Sequence, residues 1–279
     1  MRELKTSSEC FLFRKSCVGS VGLIPTMGAL HAGHLSLIKK SLALCDITIV
    51  TIFVNPKQFS EKEDLDAYPI TLKKDLDLLR AIDVSCVFAP KKSEMYPLDC
   101  SFDIVENKLS LLLEGISRPE FFCGVITIVS KLFNLFQPTH TFFGEKDAQQ
   151  LIIIKKLIKD MNYNIKCVGL PTVRDKRGLA LSSRNQRLSE QQKDVASNIY
   201  AALLLSKECI NSNERNVKIV SDIFYNHLNK YKELKLDYFS ISNLETLDDV
   251  CPVITDSVLI SVAVYLGPVR LIDNIVCSI

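Results

Sequence analysis

Residues 47–54 constrain the fold more than any other stretch of the sequence. They read Ile-Thr-Ile-Val-Thr-Ile-Phe-Val, a nearly continuous run of apolar and β-branched side chains. A strand with one face in water would alternate polar and apolar residues, so this run is typical of a strand covered on both faces. Such strands belong to parallel sheets with helices packed on the two sides.

Similar runs alternate along the chain with segments whose apolar residues have helical spacing. The predicted strands are residues 21–25, 47–54, 85–89, 141–143 and 165–170. The predicted helices are residues 34–45, 71–81, 125–136 and 148–161. This alternation predicts an α/β domain with a doubly wound, Rossmann-like parallel sheet.

The pattern changes after residue 170. Residues 172–180 contain Asp-Lys-Arg-Gly, which indicates a turn between two short extended pieces. The helices and strands predicted beyond this turn are residues 189–207, 214–230, 236–241, 258–266 and 269–272. Helices followed by clustered strands predict a smaller α+β C-terminal domain. We therefore expect two domains, residues 1–172 and residues 173–279.

The charge balance and the apolar content exclude several classes of protein. The chain has 34 Lys and Arg residues against 32 Asp and Glu residues, so it lacks the basic excess that binds nucleic-acid phosphates. A hydrophobic content of 47% excludes a mostly disordered chain. No apolar stretch approaches the roughly 18–20 residues of a membrane helix, and the first residues lack the apolar core of a signal peptide. We expect a cytoplasmic protein with neither nucleic-acid nor membrane partners.

The ten cysteines do not have the spacing of a disulfide scaffold. They are spread over the whole chain, several of them within apolar runs, and no C-x-x-C pair occurs. This distribution predicts reduced, buried thiols and gives no indication of a zinc site.

The segment after the first predicted strand carries the most specific motif. Residues 25–34 read Pro-Thr-Met-Gly-Ala-Leu-His-Ala-Gly-His and lead through a glycine-containing turn into a helix. The free N–H groups and the dipole of a helix start favour a phosphate there. His31 and His34, two of only four histidines in the chain, lie where their rings can bind polyphosphate oxygens. This H-x-G-H pattern resembles the signature of nucleotidyltransferases that attack the α-phosphate of ATP.

Three further segments offer polar groups at strand ends or turns. Residues 144–147 read Gly-Glu-Lys-Asp after the strand at 141–143, and residues 181–185 read Leu-Ser-Ser-Arg-Asn after the turn at Gly178. A lysine, hydroxyls and a guanidinium are suited to a triphosphate. Residues 53–59 read Phe-Val-Asn-Pro-Lys-Gln-Phe, whose neutral amides suit a small hydroxylated acid better than a phosphate. Taken alone, residues 181–185 and 53–59 are better explained as ordinary surface turns, whereas for residues 144–147 the functional interpretation is favoured.

Together the segments are far more specific. Residues 25–34, 53–59, 144–150, 179–185 and 269–274 resemble the pantoate–β-alanine ligase family, in the family's order and over nearly the whole chain. The resemblance implies an enzyme that joins pantoate to β-alanine with ATP and Mg²⁺, through a pantoyl adenylate, and releases pantothenate, AMP and pyrophosphate. It also implies a homodimer and a C-terminal domain that closes over the ATP site.

The resemblance also implies roles for individual residues. The implied ATP-binding residues are Met27, Gly28, Ala29, Leu30, His31, Ala32, Gly33, His34, Gly144, Glu145, Lys146, Asp147, Val173, Leu181, Ser182, Ser183 and Arg184. Among these, His34, His31 and Lys146 are the implied catalytic residues. The resemblance implies that His34 is a proton donor, but an imidazole at the α-phosphate mainly offsets charge. Gln58 and Gln150 are implied to hold pantoate, and Gln58 also borders β-alanine. Mg²⁺ is expected to be held mainly by ATP, near Asp75, without an assigned protein ligand.

Four further residues, Asn55, Tyr68, Asp75 and Arg118, fall at family positions without a defined role. One segment departs from the family, which commonly has Arg-Pro-Gly-His-Phe. Here the sequence is Arg-Pro-Glu-Phe-Phe, with Glu120 and Phe121 in place of glycine and histidine. This change puts the placement of Arg118 or a contact in the substrate pocket in question.

Other functions are compatible with the motifs taken separately. A mononucleotide adenylyltransferase shares H-x-G-H, but its phosphate acceptor requires more basic residues than residues 55–59 offer. An aminoacyl-tRNA synthetase is disfavoured by the absence of a basic excess and of room for a tRNA-binding domain. A nucleotide-sensing module that binds ATP without turnover would not need Lys146 and both histidines.

Overall fold

The computed structural model describes residues 1–59 and 65–279. The strands are β1 (Arg2–Leu4), β2 (Val21–Thr26), β3 (Ile47–Ile52), β4 (Cys86–Phe88), β5 (His140–Gly144), β6 (Lys166–Leu170), β7 (Leu234–Asn243), β8 (Val258–Leu266) and β9 (Val269–Cys277). The α-helices in the described residues are α1 (Ser7–Ser16), α2 (Ala32–Leu44), α3 (Leu72–Ala81), α4 (Lys92–Met95), α5 (Glu114–Ser117), α6 (Phe121–Phe136), α7 (Ala148–Asp160), α8 (Glu190–Ala196), α9 (Asn198–Asn211) and α10 (Val217–Leu228).

Six strands form one parallel sheet in the order β1-β4-β3-β2-β5-β6. The predicted doubly wound, Rossmann-like sheet is confirmed. The chain adds β3 on one side of β2 and later returns to add β5 on the other, so the strand order reverses at β2. Ligands of open α/β sheets bind beyond the carboxyl ends of the strands at such a switch point. The end of β2, at Thr26, is that point here.

The core of this sheet lies between β-branched strand residues and the inner faces of the helices. Ile24, Val50 and Val87 are buried with Ile38 of α2 and Leu79 of α3. Helix α6 is buried along most of its length. The sheet is thus covered as the unbroken apolar character of its strands requires.

The remaining strands form a separate antiparallel sheet in the order β7-β8-β9. Helices α9 and α10 pack on it through residues such as Leu203 and Phe224, which are buried with Ile260 and Val262 of β8. The predicted α+β character of the C-terminal part is confirmed.

The chain divides into two compact units. The first contains residues 1–111, 115–145 and 150–171, within the described part of the chain. The second contains residues 112–114, 146–149 and 172–279. Two short segments, 112–114 and 146–149, therefore belong to the second unit although the residues on either side of them belong to the first.

The structure differs from the sequence-based expectation in several places. Strand β1 and the helices α1, α4 and α5 were not predicted from the sequence. The single helix predicted at 189–207 is two helices, because the chain turns at Ser197 between α8 and α9. Strand β9 extends to Cys277, beyond the predicted end at residue 272.

All ten cysteines lie in the described residues and are free thiols. Cys10, Cys86 and Cys277 are buried, Cys251 is exposed, and the others are half-buried. The expectation of buried thiols therefore holds only in part. Burial raises the pKa of Cys86 to about 12, which keeps its thiol protonated and unreactive at neutral pH.

Candidate active site

The turn between β2 and α2 lies at the switch point and has a conformation that few sequences can adopt. Gly28 and Ala29 both have positive φ, 84° and 50°. This left-handed conformation raises the free energy of a residue with a side chain by roughly 1–2 kcal/mol. Glycine does not have this penalty, so it applies only at Ala29 and not at Gly28. Thr26 stabilises the start of the turn, because its Oγ1 accepts from the Gly28 N–H at 3.2 Å and donates to Thr51 O at 2.6 Å.

Asp75 of α3 holds the strained part of this turn. Its Oδ2 accepts from the Ala29 N–H at 2.9 Å and its Oδ1 accepts from the Leu30 N–H at 2.9 Å. Thr71 Oγ1 donates to Oδ2 at 3.0 Å. The carboxylate is buried, with 3% of its surface exposed, and its oxygens are engaged by protein donors. Asp75 therefore fixes the shape of the turn that carries the histidines.

The two histidines have the same hydrogen-bond polarity. His31 caps α2, and its Nδ1 accepts from the Gly33 N–H at 3.1 Å. His34 Nδ1 accepts from the His31 N–H at 3.3 Å. Backbone N–H groups only donate, so each neutral ring carries its proton on Nε2. The ring centroids lie 4.1 Å apart, so the two rings are neighbours at the start of α2. An imidazole N–H is the kind of group that binds an anion at a helix start.

A second cluster of polar side chains is centred on Asn55, shortly after the end of β3 at Ile52. Its Oδ1 accepts from the Lys57 N–H at 3.3 Å, and its Nδ2 donates to Gly124 O at 3.0 Å. The same Nδ2 donates to Gln58 Oε1 at 2.9 Å. Tyr96 donates its hydroxyl to Asn55 Oδ1 at 3.0 Å, and burial raises the pKa of Tyr96 well above its ordinary value. Asn55 and Gln58 are both buried.

Arg118 also contacts the turn that contains Asn55 and Gln58. Its Nη2 donates to Gln58 O at 2.7 Å, and its guanidinium carbon lies 4.0 Å from the centroid of the Phe121 ring. Phe121 therefore supports Arg118 through a cation–π contact. The departure from the family's Gly-His leaves Arg118 in contact with the Gln58 backbone. Glu120 precedes α6 and makes no side-chain capping bond.

Four more residues of the predicted site lie in the first unit. Tyr68 is buried, and its ring packs edge-on against Phe59 with the centroids 5.6 Å apart. Gln150 is half-buried in the first turns of α7. Gly144 ends β5 and Glu145 follows it in the chain.

Lys146 and Asp147 lie in the 3-10 turn that follows β5 and belong to the second unit. The Lys146 Nζ lies 3.8 Å from Asp147 Oδ1, and most of the Lys146 side chain is shielded. Asn274 of β9 donates from Nδ2 to Lys146 O at 2.8 Å. The backbone of this lysine is thus held by the antiparallel sheet.

The predicted phosphate loop follows a short hairpin in the second unit. Arg174 and Ala180 form an antiparallel bridge, and the Leu181 N–H donates to Val173 O at 2.9 Å. Ser182 then caps a 3-10 helix at Ser183–Arg187, and its Oγ accepts from the Arg184 N–H at 3.3 Å. The predicted turn between two extended pieces is confirmed.

Comparison with known proteins assigns the chain to a family. The model of the pantoate-beta-alanine ligase family matches residues 2–276. The chain belongs to the pantoate–β-alanine ligase family. A relative named pantothenate synthetase from Thermosipho africanus is 43% identical over 276 residues, with 99% of this chain and 98% of the relative aligned.

Two solved structures of this ligase family are also similar. Pantothenate synthetase from Thermus thermophilus has a TM-score of 0.93 at 38% identity and covers 99% of both chains. Pantoate-beta-alanine ligase from Francisella tularensis, complexed with beta-gamma ATP and β-alanine, has a TM-score of 0.82 at 35% identity, covering 99% of this chain and 97% of its own. None of the helices in the described residues has the length and apolar character needed to cross a membrane.

The structure groups the predicted residues of this ligase-family chain in two sets. In the first unit, Asp75 holds Ala29 and Leu30 of the segment 27–34. Hydrogen bonds also join Asn55, Gln58 and Arg118. In the second unit, Val173 pairs with Leu181 ahead of the loop 182–184, and Lys146 is bound by Asn274. Sequence reasoning did not single out Tyr96, whose contact with Asn55 joins residues 41 positions apart in the chain. No local signal in the sequence could have indicated that pairing.

Proposed function

We propose that this chain condenses pantoate with β-alanine at the expense of ATP, forming pantothenate, AMP and pyrophosphate through a pantoyl adenylate. The observation that carries the proposal is the pair of Nε2–H donors, fixed by backbone N–H groups, at the switch point of the sheet. The family match over nearly the whole chain supports the same reaction.

The first step is attack of the pantoate carboxylate on the α-phosphate of ATP. Negative charge builds on the phosphate oxygens, and preorganised donors that meet this charge lower the barrier. His31, His34 and Lys146 are proposed to supply those donors. The tautomer of His34 favours hydrogen-bond donation over release of a proton, since loss of the Nε2 proton would leave an imidazolate.

The rest of the ATP site is proposed to follow the family pattern. The proposed ATP contacts are Met27, Gly28, Ala29, Leu30, His31, Ala32, Gly33, His34, Gly144, Glu145, Lys146, Asp147, Val173, Leu181, Ser182, Ser183 and Arg184. The backbone N–H groups at the start of α2 and the hydroxyls and guanidinium of residues 182–184 are the kinds of group that bind phosphates.

The amides are proposed to select the organic substrate. Because Oε1 of Gln58 accepts from Asn55, its Nε2 is left to donate to an acceptor oxygen of pantoate. Gln150 is proposed to hold pantoate as well, and Gln58 to border the amine of β-alanine. In the second step that amine attacks the acyl carbon of the adenylate, and AMP leaves with its electron pair.

Mg²⁺ is proposed as a companion of ATP and not as a metal resident in the protein. Within residues 1–59 and 65–279, no group of three His, Cys, Asp or Glu side chains is placed to hold a metal ion. Asp75 already accepts three hydrogen bonds from the protein, which leaves it poorly suited as a ligand. We therefore propose that the phosphates of ATP carry the ion. We also propose a cytoplasmic homodimer, as the family resemblance implies.

The proposal is tested by omitting one substrate at a time. With ATP, Mg²⁺, pantoate and β-alanine, we expect equal amounts of pyrophosphate, AMP and pantothenate, the last identified by mass spectrometry. Omission of pantoate should abolish pyrophosphate release, because no carboxylate is present to attack. Pyrophosphate release that does not depend on pantoate, or a product other than pantothenate, would overturn the assignment.

A further inference from the structure

Two adjacent residues of β9, Asp273 and Asn274, each hold a different segment of the second unit. They lie in the middle of the strand, opposite Val262 and Ser261 of β8. Neighbouring residues of a strand project to opposite faces, so one pair can reach two separate pieces of chain. Asp273 Oδ1 also accepts from the backbone N–H of Asn274 at 2.8 Å, which ties the Asp273 carboxylate to the backbone of β9.

Asp273 holds the hairpin that leads to the loop 182–184. Its Oδ2 and Oδ1 accept from Arg174 Nη1 and Nη2 at 2.6 and 2.8 Å, a bidentate ion pair. The exposed fractions of the two side chains are 15% for Arg174 and 5% for Asp273. Arg174 Nη1 donates in addition to Gly178 O at 3.1 Å, and its guanidinium lies 3.4 Å from the Tyr200 ring centroid. A planar group with three kinds of partner has little freedom to move.

The hairpin transmits this placement along the chain. Arg174 is bridged to Ala180, and Leu181 donates to Val173 on the other side of that bridge. Asn185 Nδ2 donates back to Ala180 O at 2.9 Å. Residues 182–184 lie between these two contacts, so their position follows from that of the hairpin.

Asn274 holds the other segment. Its Nδ2 donates to Lys146 O at 2.8 Å. A carbonyl oxygen can only accept, so this contact fixes the orientation of the Asn274 amide. The 3-10 turn at Glu145–Asp147 is only three residues long, so a hydrogen bond from outside the turn to its backbone helps to fix its position.

We propose that Asp273 and Asn274 are positioning residues that set the placement of Lys146 relative to the loop 182–184. The inference rests on the proposed function, in which both segments bind the phosphates of ATP. A rigid strand carries both anchors, and the spacing of the two phosphate-binding segments is thereby built into β9. A displacement of about 1 Å in such a site lowers turnover by about 10²-fold.

The test is a double-mutant cycle between Asn274→Leu and Lys146→Ala, read as kcat/KM for ATP. Leucine has the same branched skeleton as asparagine, although a larger volume, and it cannot donate to Lys146 O. We expect Asn274→Leu to lower kcat/KM by about tenfold in the wild-type background and less than about twofold when Lys146 is already alanine, because coupled residues are not additive. The KM for pantoate should not change. Where turnover falls below detection, the ATP dissociation constant from calorimetry replaces kcat/KM.

Asn216→Ala is the matched control. Asn216 lies in the same unit and caps α10, accepting from the Lys218 N–H at 2.9 Å. Its loss should lower the melting temperature and leave kcat/KM for ATP unchanged, which separates positioning from general stability. In the same way, Asp273→Asn should lower kcat/KM for ATP without changing the pantoate KM.

The outcomes distinguish this inference from the proposed function. If Asn274→Leu lowers kcat/KM by the same factor with and without Lys146, Asn274 does not act through that lysine and the inference fails while the function stands. If Asn274→Leu changes nothing although Lys146→Ala loses activity, the inference also fails alone. If Lys146→Ala retains full activity, the role proposed for the lysine is wrong, and the inference that rests on that role fails with it.

Discussion

The amide of Asn55 has one orientation that satisfies its neighbours. The Lys57 N–H can only donate and Gly124 O can only accept, so Oδ1 faces the first and Nδ2 the second. The second hydrogen of Nδ2 needs an acceptor, so Gln58 points its Oε1 toward Asn55. The orientation of the Gln58 amide, whose Nε2 we propose as a donor to pantoate, is thus set by two backbone groups.

Replacement of Gln58 by Glu tests this polarity. The carboxylate keeps an acceptor for Asn55 but puts an oxygen where the Nε2 donor was, and it repels the carboxylate of pantoate. We expect the pantoate KM to rise by about 10²-fold or more, since a site built to donate is left with an unmatched group. The ATP KM, measured in the same assays, should remain within about twofold. An equal rise in both KM values would contradict the assigned role.

The His34 tautomer leads to a second prediction at this scale. His34→Ala should lower kcat by about 10²–10³-fold, as for the loss of one preorganised donor. His34→Gln, whose amide can donate from nearly the position of Nε2, should recover part of that loss. Circular dichroism checks that both variants are folded. If Gln is no better than Ala in two folded proteins, hydrogen-bond donation by His34 is the wrong account.

At this scale, residue types and spacing indicated the candidate site residues but not the contacts among them. The H-x-G-H turn was evident because its glycines and histidines are neighbours in the chain. The hydrogen bonds from the Ala29 and Leu30 N–H groups to Asp75 join residues that are 46 and 45 positions apart in the chain. No local sequence pattern indicates contacts of this kind. The guanidinium of Arg118 lies over the face of the Phe121 ring. The sequence gives the spacing of these two residues but not the direction in which their side chains point.

Strands and helices were predictable where one physical signal dominated. Buried parallel strands are apolar throughout, so β2, β3, β5 and β6 were located to within about two residues. Helix α1 was not predicted because its apolar and polar residues are not separated onto two faces. Thr6 and Glu9 nevertheless form a capping box that marks its start. Strand β1 has three residues and gains its stability from pairing with β4, which no local pattern reports.

Helix α6 touches the 3-10 turn at Pro56–Gln58 through Gly124. A Cβ at this position would lie 2.2 Å from Lys57 O and 3.0 Å from Gln58 N, and both are backbone atoms. Gly124→Ala must therefore push the turn away from the helix. We expect the pantoate KM to rise by about tenfold or more and stability to fall by about 1–3 kcal/mol, as for overpacking.

Asn134→Ala is the control for the same helix. Asn134 is exposed, so its replacement adds no bulk at the contact with the turn. The urea midpoint and the pantoate KM should both stay near their wild-type values. A Gly124→Ala protein with an unchanged pantoate KM would show that the turn does not depend on this contact.

At the scale of the whole molecule, the sequence predicted the class of the sheet but not its order. Alternation of strands and helices restricts the topology to parallel, right-handed arrangements. The position of β1 beside β4, and the grouping of residues 112–114 and 146–149 with the second unit, depend on long-range contacts. One of these is the bidentate pair of Arg270 with Glu114 at 2.6 and 3.0 Å, 156 residues apart in the chain.

The central claim is that pantoate attacks ATP before β-alanine takes part. Isotope exchange between labelled pyrophosphate and ATP tests it most directly, with pantoate present and β-alanine absent. The account predicts rapid exchange that requires pantoate and far exceeds net AMP formation, because the adenylate is formed reversibly and kept from water. Exchange that appears only after β-alanine is added would contradict the two-step reaction and require a concerted attack in a ternary complex.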